Sequence, residues 1–64
     1  MNVGDIVIVG DDARLIVSSR LTTYRYGIEV VFSNGDMWAL NTKTGLGRQL
    51  NAPSWLPLVT WFYL

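Results

Sequence analysis

The chain has 64 residues, half of them hydrophobic, with no cysteine and no histidine. A single domain of this length buries only about 60% of the surface its unfolded form exposes, and without cysteine neither disulfides nor a zinc–thiolate site can reinforce it. Five basic and five acidic residues cancel, which argues against a protein living wholly on phosphate contacts, and the acids are too few and scattered to mimic DNA.

The opening "MNVGD" has no basic segment and reaches an acid at Asp5, so it does not read as a signal peptide. "DIVIV" (5–9) is a β-branched run between Gly4 and Gly10 and predicts a strand. "GDDA" (10–13) is turn chemistry, and its adjoining acids Asp11 and Asp12 are better explained as turn residues than as cation ligands. "RLIVSS" (14–19) predicts a second strand. "YRYGIEVVF" (24–32) sets Tyr24, Tyr26, Ile28, Val30 and Phe32 at period two, the pattern of a half-buried strand.

"SNGD" (33–36) carries the strongest local signal. Asn34-Gly35 suits a two-residue type I′ turn, whose central positions both need positive φ. That loop pairs Phe32 with Met37, Val31 with Trp38, and Glu29 with Leu40. It puts Ile28, Val30, Phe32, Met37 and Ala39 on the core face, and leaves Glu29, Val31, Trp38 and Leu40 on the other.

"NTKTGLGRQL" (41–50) reads as a loop with room for one helical turn or a short strand. The last strand begins after Pro57, over Leu58 to Tyr63, because proline cannot donate to a sheet ladder. Its alternation points Leu58, Thr60 and Phe62 one way and Val59, Trp61 and Tyr63 the other. A strand apolar on both faces implies a cover on each. One small barrel has only one inside, so a second subunit, another protein or the folded-back loop 41–55 should cover the outer face. The uncharged stretch after Arg48 is too short and too interrupted by Pro53 and Pro57 to span a membrane as a helix, which needs about 20 apolar residues. The chain is expected to be cytoplasmic, with no membrane partner. Five short strands and tight turns in a single domain, 1–64, predict an all-β fold, a small five-stranded antiparallel barrel.

"VGDIVIV" and "YGIEVVFSNGDMWAL" resemble the SH3-like small barrels, including the KOW and Tudor-type modules, which often open with a Gly-Asp step into a β-branched strand and carry an aromatic–x–V–x–F–x–D/N–G hairpin. The resemblance covers about residues 3–41. It implies a binding module for peptides, modified side chains, RNA or larger proteins. The aromatic cage of Tudor-type domains is not carried over, because no acidic partner is placed beside Tyr24, Tyr26 and Trp38.

With no histidine or cysteine, the usual general base and the best nucleophile are missing. "GLG" (45–47) lacks the rest of a phosphate-loop spacing. No enzyme activity, cofactor or metal is expected. Three binding readings remain. The first is protein–protein contact through an apolar, Trp-rich surface, with Val31, Trp38, Leu40, Trp61 and Tyr63 as candidate anchors and Arg25 or Arg48 at a polar rim. The miniature size suits an accessory protein of a virus or mobile element that modulates a host machine. The second is an RNA- or single-stranded-DNA-binding barrel using Arg20, Tyr24, Arg25, Tyr26, Lys43 and Arg48, since cations interleaved with stackable rings suit that ligand. The plainer account of Tyr24 and Tyr26 is that they fill the core. The third is self-assembly into a homo-oligomer.

Overall fold

A computed structural model describes residues 1–52 and 59–64. Six strands, β1 (Ile6–Val9), β2 (Asp12–Leu21), β3 (Gly27–Phe32), β4 (Met37–Asn41), β5 (Leu46–Gln49) and β6 (Val59–Tyr63), follow one another around a closed antiparallel barrel. The all-β expectation holds, with one strand more than predicted. The addition is β5, which the two glycines of "GLGR" disguise as loop. Gly47 faces inward there, where a Cβ would lie 2.7 Å from Leu40 Cδ2 and 3.3 Å from Trp38 Cε3. Its missing side chain makes room for the core rather than for a phosphate.

The ten-residue β2 serves two neighbours. Its first part pairs with β1, from Val9↔Asp12 to Ile6↔Leu15, and its second part with β3, from Ile16↔Phe32 to Leu21↔Ile28. A register shift between Ile16 and Ser18 separates the two parts, the kind of bulge that bends and twists a strand. β6 closes the barrel between β5 and β1, with Leu46↔Trp61 on one side and Ile8↔Tyr63 on the other. Among the described residues no helix is long and apolar enough to cross a membrane. The expected start of the last strand at Leu58 lies outside the described residues.

The β3–β4 hairpin departs from its predicted register by one residue. Val31 pairs with Met37, Val30 with Trp38 and Ile28 with Leu40. The Gly35 N–H donates to the Phe32 carbonyl (2.9 Å), and the Phe32 N–H to the Asp36 carbonyl (2.9 Å). The loop is therefore Ser33-Asn34-Gly35, with positive φ at Gly35 and none at Asn34, as in three-residue hairpins that end on a left-handed glycine. Side chains favour this longer loop: Asn34 Oδ1 accepts the Asp36 N–H (3.0 Å), and the Asp36 carboxylate accepts Arg14 Nη1 (2.6 Å). A slip of one residue turns every side chain of a strand to the opposite face. Trp38 and Leu40 are consequently core residues, 3% and 1% exposed, while Met37 lies outside.

Val7, Val9, Ile16, Val30, Phe32, Trp38, Leu40 and Phe62 make up the buried apolar core. Arg14 closes one end of it. Its guanidinium carbon sits 5.7 Å from the Phe32 ring centroid and 5.6 Å from that of Trp38, and its charge is met by Asp36 and, at 3.5 Å, by Asp12. This position sets the guanidinium against both aromatic faces, a cation–π arrangement, while its N–H groups still reach the carboxylates.

Candidate binding surfaces

Alternation along β6 separates its two roles. Phe62 points inward and is buried, whereas Val59, Trp61 and Tyr63 point outward, with Trp61 65% and Tyr63 60% exposed. Pairing extends this outer row in both directions. Tyr63 is opposite Ile8 on β1, and Ile6, two residues along, is opposite Leu15 on β2. Trp61 is opposite Leu46 on β5, and its ring lies against the β4–β5 turn, where a Cβ at Gly45 would be 3.7 Å from Trp61 Cε3. Leu15, Ile6, Ile8, Tyr63, Trp61, Leu46 and Val59 thus form one uncharged band around the outside of four strands. The described part of loop 41–55 leaves Trp61 and Tyr63 exposed. Trp61 and Tyr63 are the band's most exposed large side chains, and contiguous exposed apolar patches of this kind mark interaction surfaces.

The patch expected around Val31, Trp38 and Leu40 does not form. Trp38 and Leu40 are inside because of the hairpin slip, and Val31 is a half-buried outward residue beside Met37. Of the five anchors predicted for protein contact, Trp61 and Tyr63 are the two that stand well exposed. Ile6, Leu15 and Leu46, which complete the band, escape sequence reasoning because it takes the barrel-closing pairs to bring them beside Trp61 and Tyr63.

A second surface lies at the β2–β3 and β4–β5 turns. The strand expected from Tyr24 begins only at Gly27, because residues 22–26 form a tight turn. The Thr22 hydroxyl accepts the Tyr24 N–H (3.2 Å), the Gly27 N–H donates to the Tyr24 carbonyl (3.1 Å), and the Thr22 N–H donates to the Gly27 carbonyl (3.1 Å). Gly27 is required where the turn closes, since a Cβ there would fall 2.2 Å from Thr22 Oγ1. Tyr24 and Tyr26 therefore lie outside the core, and Tyr24 is 82% exposed. Thr42 donates its N–H and its hydroxyl to the Tyr26 carbonyl (2.8 and 3.0 Å) and so ties the two turns together. Arg25 and Lys43 both lie over the Tyr26 ring, at 5.5 and 5.3 Å from its centroid.

The remaining two cations of the predicted nucleic-acid set differ in their surroundings, Arg20 being ion-paired and Arg48 not, among the described residues. Arg20 donates through Nε (2.7 Å) and Nη2 to Glu29. Arg48, paired with Ala39 and Val59 on the outer face, lines a groove of about 470 Å³ together with Tyr24, Gly27 and Glu29. Among the described residues no three acidic side chains gather into a cation site. Comparison with protein-family models, with curated proteins and with solved structures finds no match to this chain.

Proposed function

We propose that this protein is a non-enzymatic binding module that works by protein–protein contact through the outer band of β6 and β1, with Trp61 and Tyr63 as its anchors. The observation that carries the proposal is the continuity of that band. A strand whose inward residue Phe62 already serves the core has no structural need for two large aromatics in water. Trp and Tyr dominate binding hot spots because they offer large, rigid contact areas. The band joins residues of four strands and has no charge at its centre. The resemblance to KOW and Tudor-type barrels supports a binding role, and the miniature size supports an accessory protein of viral or mobile-element origin that acts on a larger host machine.

Trp61→Thr tests this reading, because threonine suits an exposed strand position. We expect the variant to keep a cooperative melt within about 8 °C of wild type, a loss of about 1 kcal/mol or less for a domain of this size. It should recover at least tenfold less partner protein from a bacterial lysate. Equal recovery by the two proteins overturns the assignment of Trp61. A wild-type dimer in light scattering that Trp61→Thr dissolves reassigns the band to self-association.

A further inference from the structure

The zero net charge conceals a strong segregation of charge. Arg14, Asp5, Asp11, Asp12 and Asp36 belong to the segments flanking β1, the first half of β2 and the β3–β4 turn, a formal excess of three negative charges. Arg20, Arg25, Lys43, Arg48 and Glu29 belong to the other end of β2, to β3 and β5 and to the two tied turns, an excess of three positive charges. All five acids lie among the described residues, and ion pairs engage Arg14 and Arg20 only. Arg25, Lys43 and Arg48 are left without a carboxylate. Arg25 and Lys43 both lie against the Tyr26 ring, so two like charges without a carboxylate partner share one small surface. That arrangement is relieved by an anion from outside.

The neighbouring surface specifies which anion. Tyr24 lines the groove as an exposed ring, and Gly27 and Ala39, also in its lining, carry little or no side chain. Arg48 lines the same groove. A mostly apolar groove lined by a free phenol ring and a guanidinium, in which the one carboxylate, Glu29, is already held by Arg20, fits a stacked base. Arg25, next to Tyr24 in the chain, and Lys43 fit neighbouring phosphates of the same strand. We infer that the end of the barrel formed by Tyr24, Arg25, Tyr26, Lys43 and Arg48 is a second binding site, which takes single-stranded nucleic acid without sequence preference. It borders the protein-contact band, whose Leu46 and Val59 also line the groove, but it does not use the anchors Trp61 and Tyr63: phosphates meet the cations, and unpaired bases stack on Tyr24 and in the groove.

Fluorescence anisotropy of a labelled single-stranded thymidine 12-mer at low salt tests the inference, with the matching duplex and poly-glutamate as competitors. Three phosphate contacts on a single strand give a log–log salt slope of about −2, so a fourfold rise in salt should weaken binding about fifteenfold. Arg25→Ala with Lys43→Ala should reduce the slope to about −0.7. Tyr24→Ala should weaken binding about tenfold at unchanged slope, the signature of lost stacking. Tyr63→Ser, in the protein-contact band, should change nothing. No binding at low salt, an unchanged slope in the double variant, or equal competition by the duplex overturns the inference. Competition by poly-glutamate at equal charge concentration also overturns it, and assigns the site to acidic protein segments instead.

Discussion

Trp38→Ala is expected to abolish the cooperative thermal melt and leave a largely unfolded chain by circular dichroism. Trp38 is 3% exposed, packs over the inward-facing Gly47 and lies beneath the Arg14 guanidinium. Truncating a buried tryptophan to alanine costs about 3–5 kcal/mol. A domain of this size without disulfides or metal rarely holds more than about 3–5 kcal/mol in total. The substitution therefore removes about as much free energy as the fold has, and the collapse of Leu40 into the gap recovers only part of it. A variant that melts cooperatively within a few degrees of wild type contradicts the inward placement of Trp38.

Deletion of residues 59–64 should have an effect as large, for a different reason. β6 is the strand that closes the barrel, pairing with β5 through Val59 to Trp61 and with β1 through Phe62 and Tyr63. The deletion removes the buried Phe62, the Phe62 N–H donated to the Gly45 carbonyl (2.9 Å) and the Trp61 carbonyl that accepts the Gly10 N–H (3.0 Å). It also leaves β1 and β5 as open edges, which invite pairing between chains. We expect loss of the cooperative transition in circular dichroism together with aggregation in light scattering. A soluble truncated chain with a cooperative melt would show that β6 is an appendage rather than a stave of the barrel.

The fold class was legible because strand signals are local. β-branched runs at 6–9 and 28–32, turn residues between them and the alternation of 59–63 are each readable within a few neighbouring residues. The inside–outside assignment of β4 was not, because it turns on a single residue of loop length. Asn34-Gly35 favours a two-residue loop taken alone, and the contact that helps decide otherwise, Arg14 with Asp36, joins residues far apart in sequence. Tyr24 and Tyr26 continue the period of Ile28 and Val30, yet the Thr22 hydroxyl and the Gly27 turn take them out of the strand. β5 was hidden because Gly47 is used for its lack of a side chain, which propensity reads as a loop signal.

The candidate surfaces were legible in proportion to how local they are. The outward face of 59–63 follows from alternation alone, so Trp61 and Tyr63 were found. Their neighbours Ile6 and Leu15 come from strands near the other end of the chain and meet them only through barrel closure. Charge segregation is invisible to a net charge of zero. It appears once topology sends Asp11, Asp12 and Asp36 to one end and Arg25 and Lys43 to the other.

The account rests on one inversion, Trp38 inside the barrel and Trp61 outside it, and hydrogen exchange of the indole N–H groups tests it most directly. The Trp38 Nε1–H is buried and has no acceptor among the described residues. In a nitrogen–proton correlation spectrum recorded after transfer to deuterated buffer, its signal should persist, exchanging only when the barrel opens as a whole. The Trp61 signal, assigned by its absence from Trp61→Phe, should be gone in the first spectrum of the dilute protein. A Trp61 signal that outlasts that of Trp38 would contradict the account.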